Sequence, residues 1–597
     1  MPTLITDAFQ RTARARGSAP ALRHRRNGSW TTVAWTEYHD AVRRAAKALI
    51  ALGVEAGEHV TIIGANRPEW FIADIAAIAA GAIPAGIYNT SSAEQCRYVA
   101  EHCEARVAFV ENAEQLEKFR AIRPELPKLR AIVVMDDEVD ASASGAAKPG
   151  EWLSWDAFLA LGDAVAESDL DARIGAQRVD DVCTLIYTSG TTGTPKAVML
   201  SHGNLSSVVE QAAALVDIAP GDDVVSYLPL SHIAEQLFSL HNSAMLGTCT
   251  WFCADVESLG DVLRDARPHH FLAVPRVWEK IQAKMEVAGA NAPWLRRRIV
   301  RWARGVGLAA GHAMQVGRKP TVSYRLADRL VFTKVRAALG FDRAKLMLTG
   351  AAPISRSTLE FFLSLGLPVC EVYGMSECTG VATGSVPGRL RTGTAGFIPS
   401  TMQLKVAPDG EICIRGPHVF KGYYKDSSAT AEVMDDDGWL HSGDIGQLDA
   451  DGFLTITDRK KDILITAGGE NVAPQMIEGH LKSIGVVSQA VVIGDRRRYL
   501  AALLTLDAEK IASVASTVGS AARTCEEAAV CARFNSYLQR EIDTVNARLS
   551  RVQTVKRFAV LPPELTIDGG ELTPTLKLRR KAIVEKHAAV IERLYGS

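Results

Sequence analysis

The chain has 597 residues, 47% of them hydrophobic and 23% charged, with a formal net charge of −1 at neutral pH. That length exceeds one hydrophobic core and predicts two or more domains, and the near-neutral charge excludes a global attraction to nucleic acid. The first residues lack the apolar segment of a signal peptide, no apolar run approaches the roughly 18 residues of a membrane span, and the ten cysteines lack zinc-site spacing, so reduced cytosolic thiols and no protein metal cage are expected.

Residues 35–52 carry apolar positions at helical spacing, with Gly53 as a stop signal. Residues 59–63 read as a buried strand and 69–80 as a helix; residues 85–87 and 107–110 are further strands, with 93–102 helical between them. Strands alternating with helices predict an α/β fold of doubly wound parallel layers. The polar, low-complexity residues 136–150 are expected to form a solvated loop.

The β-branched run 182–187 has the composition of a buried strand, and it leads into YTSGTTGTPKAVMLSH at residues 187–202. Thr188, Ser189, Gly190, Thr191, Thr192 and Gly193 are small enough for backbone N–H groups and hydroxyls to close around a polyanion. Pro195 stiffens the turn, and Lys196 adds a point charge where phosphate oxygens would sit. A P-loop NTPase is excluded, because Gly193 lies three residues before Lys196 and Ala197 follows the lysine.

Residues 201–215 then read as a helix. An apolar strand from residue 224 delivers Ser231 and His232 at its end, where α/β sheets place ligand contacts. Residues 294–345 hold thirteen lysines and arginines against Asp328 and Asp342, interleaved with apolar residues such as Trp302, Leu326 and Leu330. That pattern suits either a helix lying on an anionic lipid surface or a solvated face packed on the main domain. Residues 344–352 read as a strand followed by a small-residue loop.

A short strand at 367–370 leads to the string EVYGMSECTG at residues 371–380. There Tyr373 can stack on a purine, Ser376 can hydrogen-bond a phosphate or carboxylate, and Glu377 can hold Mg²⁺ against triphosphate oxygens. Asp444 beside Gly443 offers a carboxylate able to accept both hydroxyls of a ribose. Residues 453–456 are strand-like and precede the charged run 458–462, which holds Arg459 and Lys461. A strand, a Gly-Gly loop and a helix start follow at residues 463–474, with Gly468 and Gly469 permitting close backbone approach. Near the C-terminal end of the sequence, ELTPTLKLRR places Lys577, a flexible cation able to bridge a carboxylate oxygen and an α-phosphate.

Five motifs in this order resemble those of the adenylate-forming superfamily, which includes acyl-CoA synthetases, luciferases and peptide-synthetase adenylation domains. Through YTSGTTGTPKAVMLSH, LPLSHIAEQ and ELTPTLKLRRK the chain is most similar to long-chain fatty acid–CoA ligases, including the bubblegum-like branch. The resemblance implies a large N-terminal domain, residues 1–459, and a smaller mobile C-terminal α+β domain, residues 460–597. It implies ATP and Mg²⁺ with CoA as a substrate, and a long-chain fatty acid as the other. Thr188, Glu377, His232 and Lys577 are then the catalytic set, with Thr188 and Glu377 toward the metal. Residues 188–193 and Lys196 grip phosphates; Gly350, Ala351, Ala352, Glu371, Tyr373, Gly374, Met375, Ser376, Asp444, Ile456 and Arg459 surround the nucleotide. Lys461 is the hinge, and Gly468, Gly469 and Glu470 line the pantetheine channel.

The expected activity is formation of acyl-AMP and pyrophosphate, then of acyl-CoA and AMP. A fatty acyl-AMP ligase that serves a carrier protein is the alternative. A silent nucleotide-binding scaffold would need none of Lys196, Glu377, Asp444, Arg459 and Lys577, and nothing favours luciferase-like oxygen chemistry. The expected location is cytoplasmic, with peripheral contact to the inner face of the membrane through residues 294–345. No nucleic-acid partner is expected, and the sequence sets no oligomeric state.

Overall fold

The computed structural model describes residues 2–136, 152–188, 194–467, 470–562, 564–566, 569–572 and 578–596; the loop expected at 136–150 lies outside these from residue 137 onward. Among the described residues, seven strands form one sheet in the order Leu153–Ser154, Ala131–Val134, Val107–Val110, His59–Ile63, Ile83–Ile87, Val182–Thr188 and Lys196–Ser201. Neighbours pair in parallel until the last two strands, which make an antiparallel hairpin. A second sheet of eight described strands runs Thr383–Gly384, Cys370–Tyr373, Leu346–Thr349, His270–Ala273, Asp223–Ser226, Cys249–Phe252, Pro20–Arg26 and Ser29–Ala34. Its centre is parallel and each edge is closed by an antiparallel strand.

The fold is thus α/β with doubly wound sheets. The helices begin and end within about a residue of their sequence signals: Trp35–Ala51, Pro68–Ala79, Ala93–His102 and His202–Leu215. Two differences bear on function. Lys196 begins a strand, Lys196–Ser201, that the short, unpatterned Lys-Ala-Val-Met-Leu-Ser run did not signal. The strand expected at 367–370 runs instead over Cys370–Tyr373, so that Tyr373 ends a strand rather than starting a loop.

Helix Pro68–Ala79 is buried on nearly every side, as its largely apolar sequence requires, Glu69 and Asp74 being its two polar residues. It lies between the two large sheets: Phe71 meets Phe252 edge to face at 4.8 Å, while Trp70 packs beside Gly86. Asp74 sits in the middle of this helix, fully buried, and neither carboxylate oxygen has a partner among the described residues. Burial holds its carboxyl far above the usual carboxylate range, so it is protonated in the fold. Above the ordinary value near 4, unfolding releases that proton, which costs stability at about 1.4 kcal/mol per pH unit until the folded value is reached. Asp74→Asn is therefore expected to gain melting temperature relative to the parent as pH rises from 5 to 8. A difference that stays constant across that range would show that Asp74 does not titrate as described.

A third sheet, wholly antiparallel, joins Gln403–Val406, Glu411–Arg415, Leu440–Leu448 and Leu454–Arg459. Beyond it, Val487–Ile493, Leu500–Leu506 and Val555–Val560 form a small mixed sheet. Helices Pro474–Lys482 and Ala532–Asn546 pack into one apolar cluster with these strands, and Ala588–Tyr595 into another. This smaller C-terminal α+β unit has apolar cores of its own.

Candidate active site

The parallel strands of the two large sheets point their C-terminal ends at one cleft of about 2050 Å³, whose far wall is the C-terminal unit. Ligand-binding clefts of α/β sheets lie outside the carboxyl ends of their strands, and the lining follows that rule. Thr188, Leu228, Ala273, Thr349 and Tyr373 each reach it from the end of a strand or just beyond.

Thr188 ends the strand Val182–Thr188, and its hydroxyl donates to the Lys196 carbonyl at 3.4 Å, closing the base of the phosphate loop. Ser189, Gly190, Thr191, Thr192 and Gly193 lie outside the described residues. The Lys196 ammonium stands 4.9 Å from the centre of the Tyr423 ring, and the Tyr423 hydroxyl donates to Glu377 Oε1 at 2.8 Å. Burial and the Glu377 carboxylate push the Tyr423 phenol well up, so it stays a donor. Glu377 is 8% exposed, in a single helical turn, Ser376–Cys378, and its carbonyl accepts from Phe420 N–H. Tyr423 thus ties the phosphate-side lysine to the carboxylate expected to face the metal. It escaped the sequence reading, because nothing in KGYYKD at residues 421–426 marks one tyrosine over the other.

A second group gathers around Asp444. Asp444 and Arg459 are direct partners across the strands Leu440–Leu448 and Leu454–Arg459. Arg459 Nε lies 3.1 Å from Asp444 Oδ1, and the Tyr373 hydroxyl donates to Oδ2 at 2.7 Å. A carboxylate has about four lone-pair positions, so Asp444 retains acceptor capacity for a diol. Gly350, Ala351 and Ala352 follow the strand Leu346–Thr349 and line the same wall, where a Cβ on Gly350 would come within 2.8 Å of Val372. Gly374 is equally constrained, since a Cβ there would fall 2.3 Å from the Gly380 carbonyl oxygen. Glu371, Met375, Ser376 and Ile456 also line the cleft. Burial pushes the Glu371 carboxyl up to about 8, offset in part by the Gly393 N–H that donates to it at 3.1 Å.

At the floor, His232 precedes the helical turn Ile233–Glu235, and its Nδ1 accepts from Ala234 N–H at 3.1 Å. The chain then continues through a π-helical stretch, Gln236–His241. Leu237 and Phe238 from that stretch, together with Val208, Val209 and Ala212 from His202–Leu215, are apolar residues of the cleft lining.

Around Lys461, expected from the sequence as a hinge, neighbouring side chains face different ways. Lys461 lines the cleft, while Asp458 is 1% exposed and accepts from Gln475 N–H at 3.2 Å, in the first turn of Pro474–Lys482. Burial pushes the Asp458 carboxyl up to about 6. In the same unit Arg580 donates to both Glu478 oxygens, at 2.7 and 2.9 Å, and to the Val492 carbonyl at 2.9 Å. Glu470 is exposed in the hairpin turn, its N–H donating to Thr466 Oγ1, and it is not among the cleft-lining residues. Gly468, Gly469 and Lys577 fall outside the described residues. Among those described, no group of three or more acidic, histidine or cysteine side chains could hold a metal by itself.

The sequence matches the AMP-binding enzyme family over residues 9–424 and the AMP-binding enzyme C-terminal domain over residues 461–597. The chain belongs to the AMP-binding enzymes. Relatives of this AMP-binding enzyme include the long-chain-fatty-acid–CoA ligase ACSBG2 of Xenopus laevis, 40% identical over 100% of this chain and 84% of that protein. The ACSBG2 ligase of Homo sapiens is 37% identical over 100% of this chain and 92% of its own length. The ACSBG1 ligase of Bos taurus is also 37% identical, over 100% and 85%. Among solved structures, the A domain of a carboxylic acid reductase from Segniliparus rugosus, in complex with AMP and a co-purified carboxylic acid, superposes with a TM-score of 0.75 at 22% identity. That match covers 99% of this chain and 94% of the other. The anthranilate CoA ligase AuaEII in complex with anthranoyl-AMP gives 0.74 at 17% identity, covering 98% of both chains. At those identities the structures establish a shared fold for the AMP-binding enzyme.

Proposed function

We propose that this AMP-binding enzyme is an ATP-dependent long-chain fatty acid–CoA ligase. The observation that carries the reading is that apolar side chains, Val208, Ala212, Leu237 and Phe238, line the same cleft as Glu377, Tyr373, Asp444 and Arg459. A hydrocarbon chain and a nucleotide can therefore meet in one place.

A carboxylate cannot be displaced by a thiol until its oxygen becomes part of a good leaving group. The fatty carboxylate oxygen attacks the α-phosphorus of ATP; the bond to the β-phosphate oxygen breaks, and pyrophosphate leaves. The CoA sulfur then attacks the acyl carbonyl, its proton is lost, and AMP departs with the former carboxylate oxygen. Asp444 orients the ribose hydroxyls, with Tyr373 and Arg459 fixing its two oxygens. Lys196 and the hydroxyl of Thr188 hold the phosphates that leave, and Glu377, steadied by Tyr423, faces the metal. Mg²⁺ bound there supplies positive charge against the triphosphate oxygens. His232, which lines the same cleft, would face the fatty carboxylate. Lys577 acts at the α-phosphate by position and charge. The unit from residue 460 onward turns about Lys461 between the two half-reactions, a hinge motion of the usual kind.

Pyrophosphate release measured on acids from acetate to very long chains, with and without CoA, tests this reading. Release rising with chain length, with CoA thioester formed, is the expected result. Adenylate that accumulates without thioester would favour the acyl-AMP ligase alternative, and a preference for short acids would overturn the substrate class.

The basic segment supports contact with an anionic lipid surface on the cytoplasmic face. Helix Trp294–Gln315 has no acidic residue, and its first turns expose Trp294, Leu295, Arg296, Arg297, Arg298, Ile299 and Trp302. Val316, Val322, Leu326 and Leu330 continue the exposed apolar surface. Its other face is anchored, with Ala303 and Gly307 buried and Arg304 donating to Ser364. No helix among the described residues is long and apolar enough to cross a membrane. Replacing Arg296, Arg297 and Arg298 with Glu is expected to weaken binding to phosphatidylserine vesicles about a hundredfold or more at low salt, at about 1 kcal/mol for each arginine lost. Unchanged binding would leave these residues as a solvated face.

A further inference from the structure

One helix, Ala93–His102, contacts both legs of the segment expected to grip phosphate. Tyr98 and His102 stand four residues apart on it, hence on one face, with their rings stacked at 5.6 Å. His102 Nδ1 lies 2.8 Å from the hydroxyl of Tyr187, the residue before Thr188 on the incoming strand. The Tyr98 hydroxyl donates to the Pro195 carbonyl at 2.8 Å, on the outgoing leg.

The Tyr98 contact bears on Lys196. Proline has no N–H, so the carbonyl is the only hydrogen-bonding group that Pro195 offers. Holding it orients the planar peptide between Pro195 and Lys196, and the Thr188 hydroxyl, which donates to the Lys196 carbonyl at 3.4 Å, holds the next one. With the peptides on both sides of its α-carbon held, the direction in which the Lys196 side chain leaves the backbone is set. Close packing does not replace this hydrogen bond, because a pocket of about 140 Å³ is lined by Tyr98, His102, Pro195 and Lys196 themselves.

We propose, resting on the ligase reading above, that Tyr98 is a positioning residue for the adenylation step, acting through Pro195 to hold Lys196 toward the departing phosphates. Tyr98 is not among the cleft-lining residues, so it works through the backbone and not by touching substrate. A phenol is also neutral, and it orients the leg without adding a charge that would compete with Lys196. The hold matters only while the β- and γ-phosphates are present. Once pyrophosphate has left, the CoA sulfur attacks the acyl carbonyl without them.

Tyr98→Phe tests this, since it keeps the ring and removes only the hydroxyl. In the full-length protein with ATP and octadecanoic acid, kcat/KM for ATP in pyrophosphate release is expected to fall about tenfold, the worth of one net hydrogen bond. KM for octadecanoic acid and the rate of acyl-CoA formation from synthetic acyl-AMP are expected to match the parent. Equal loss in both half-reactions, or a variant that does not fold, would make Tyr98 a structural residue and overturn the inference. An unchanged kcat/KM for ATP overturns it as well. A parent protein that releases no pyrophosphate with fatty acids of any length would instead overturn the ligase reading.

Discussion

Lys577→Ala is expected to lower acyl-AMP formation about 1,000-fold while largely sparing thioester formation from preformed acyl-AMP. The reasoning is electrostatic. As the carboxylate oxygen closes on the α-phosphorus, two anionic groups are forced together, and the proposed lysine is the cation that neutralises charge between them. In the second half-reaction the α-phosphate is already esterified and the attack occurs at carbon, so a cation at phosphorus has little left to do. The measurement is pyrophosphate release for the first step and acyl-CoA yield from synthetic acyl-AMP for the second. If both half-reactions survive equally, the role given to Lys577 is wrong.

The second large effect is expected at Glu377. Glu377→Gln keeps the shape and can still accept from the Tyr423 hydroxyl, but removes the charge. Pyrophosphate release is expected to fall about 100-fold, with partial recovery as Mg²⁺ is raised. Tyr423→Phe is expected to fall less, since it loosens the carboxylate without neutralising it. A Glu377→Gln enzyme with an unaltered Mg²⁺ dependence would place the metal elsewhere.

Much of this site could be read before any fold was known, because its elements are local. A strand run into small residues, or Asp444 beside Gly443, carries its meaning within a dozen residues. Contacts fixed by sheet order were not legible in that way. Asp444 and Arg459 are separated in sequence and become neighbours only because their strands pair in one register. Tyr423 reaches Glu377 across 46 residues, and no periodicity announces it. Tyr373 was read as a stacking ring; the structure adds that its hydroxyl is engaged by Asp444, so one residue shapes the wall and fixes the carboxylate. In the charged run 458–462 the sequence marked Arg459 and Lys461, yet Asp458 beside them is among the most buried carboxylates of the described residues.

That buried aspartate has a mechanical consequence. Successive residues of a strand point to opposite faces. At the end of Leu454–Arg459, Arg459 therefore reaches Asp444 on the nucleotide side, while Asp458 grips the first turn of Pro474–Lys482 on the other. One peptide unit thus separates the reading of the ribose from the grip on the neighbouring helix. The strand end therefore links the two contacts through a single stretch of backbone. On the proposed reading, departure of AMP and turning of the C-terminal unit would act on side chains one peptide unit apart.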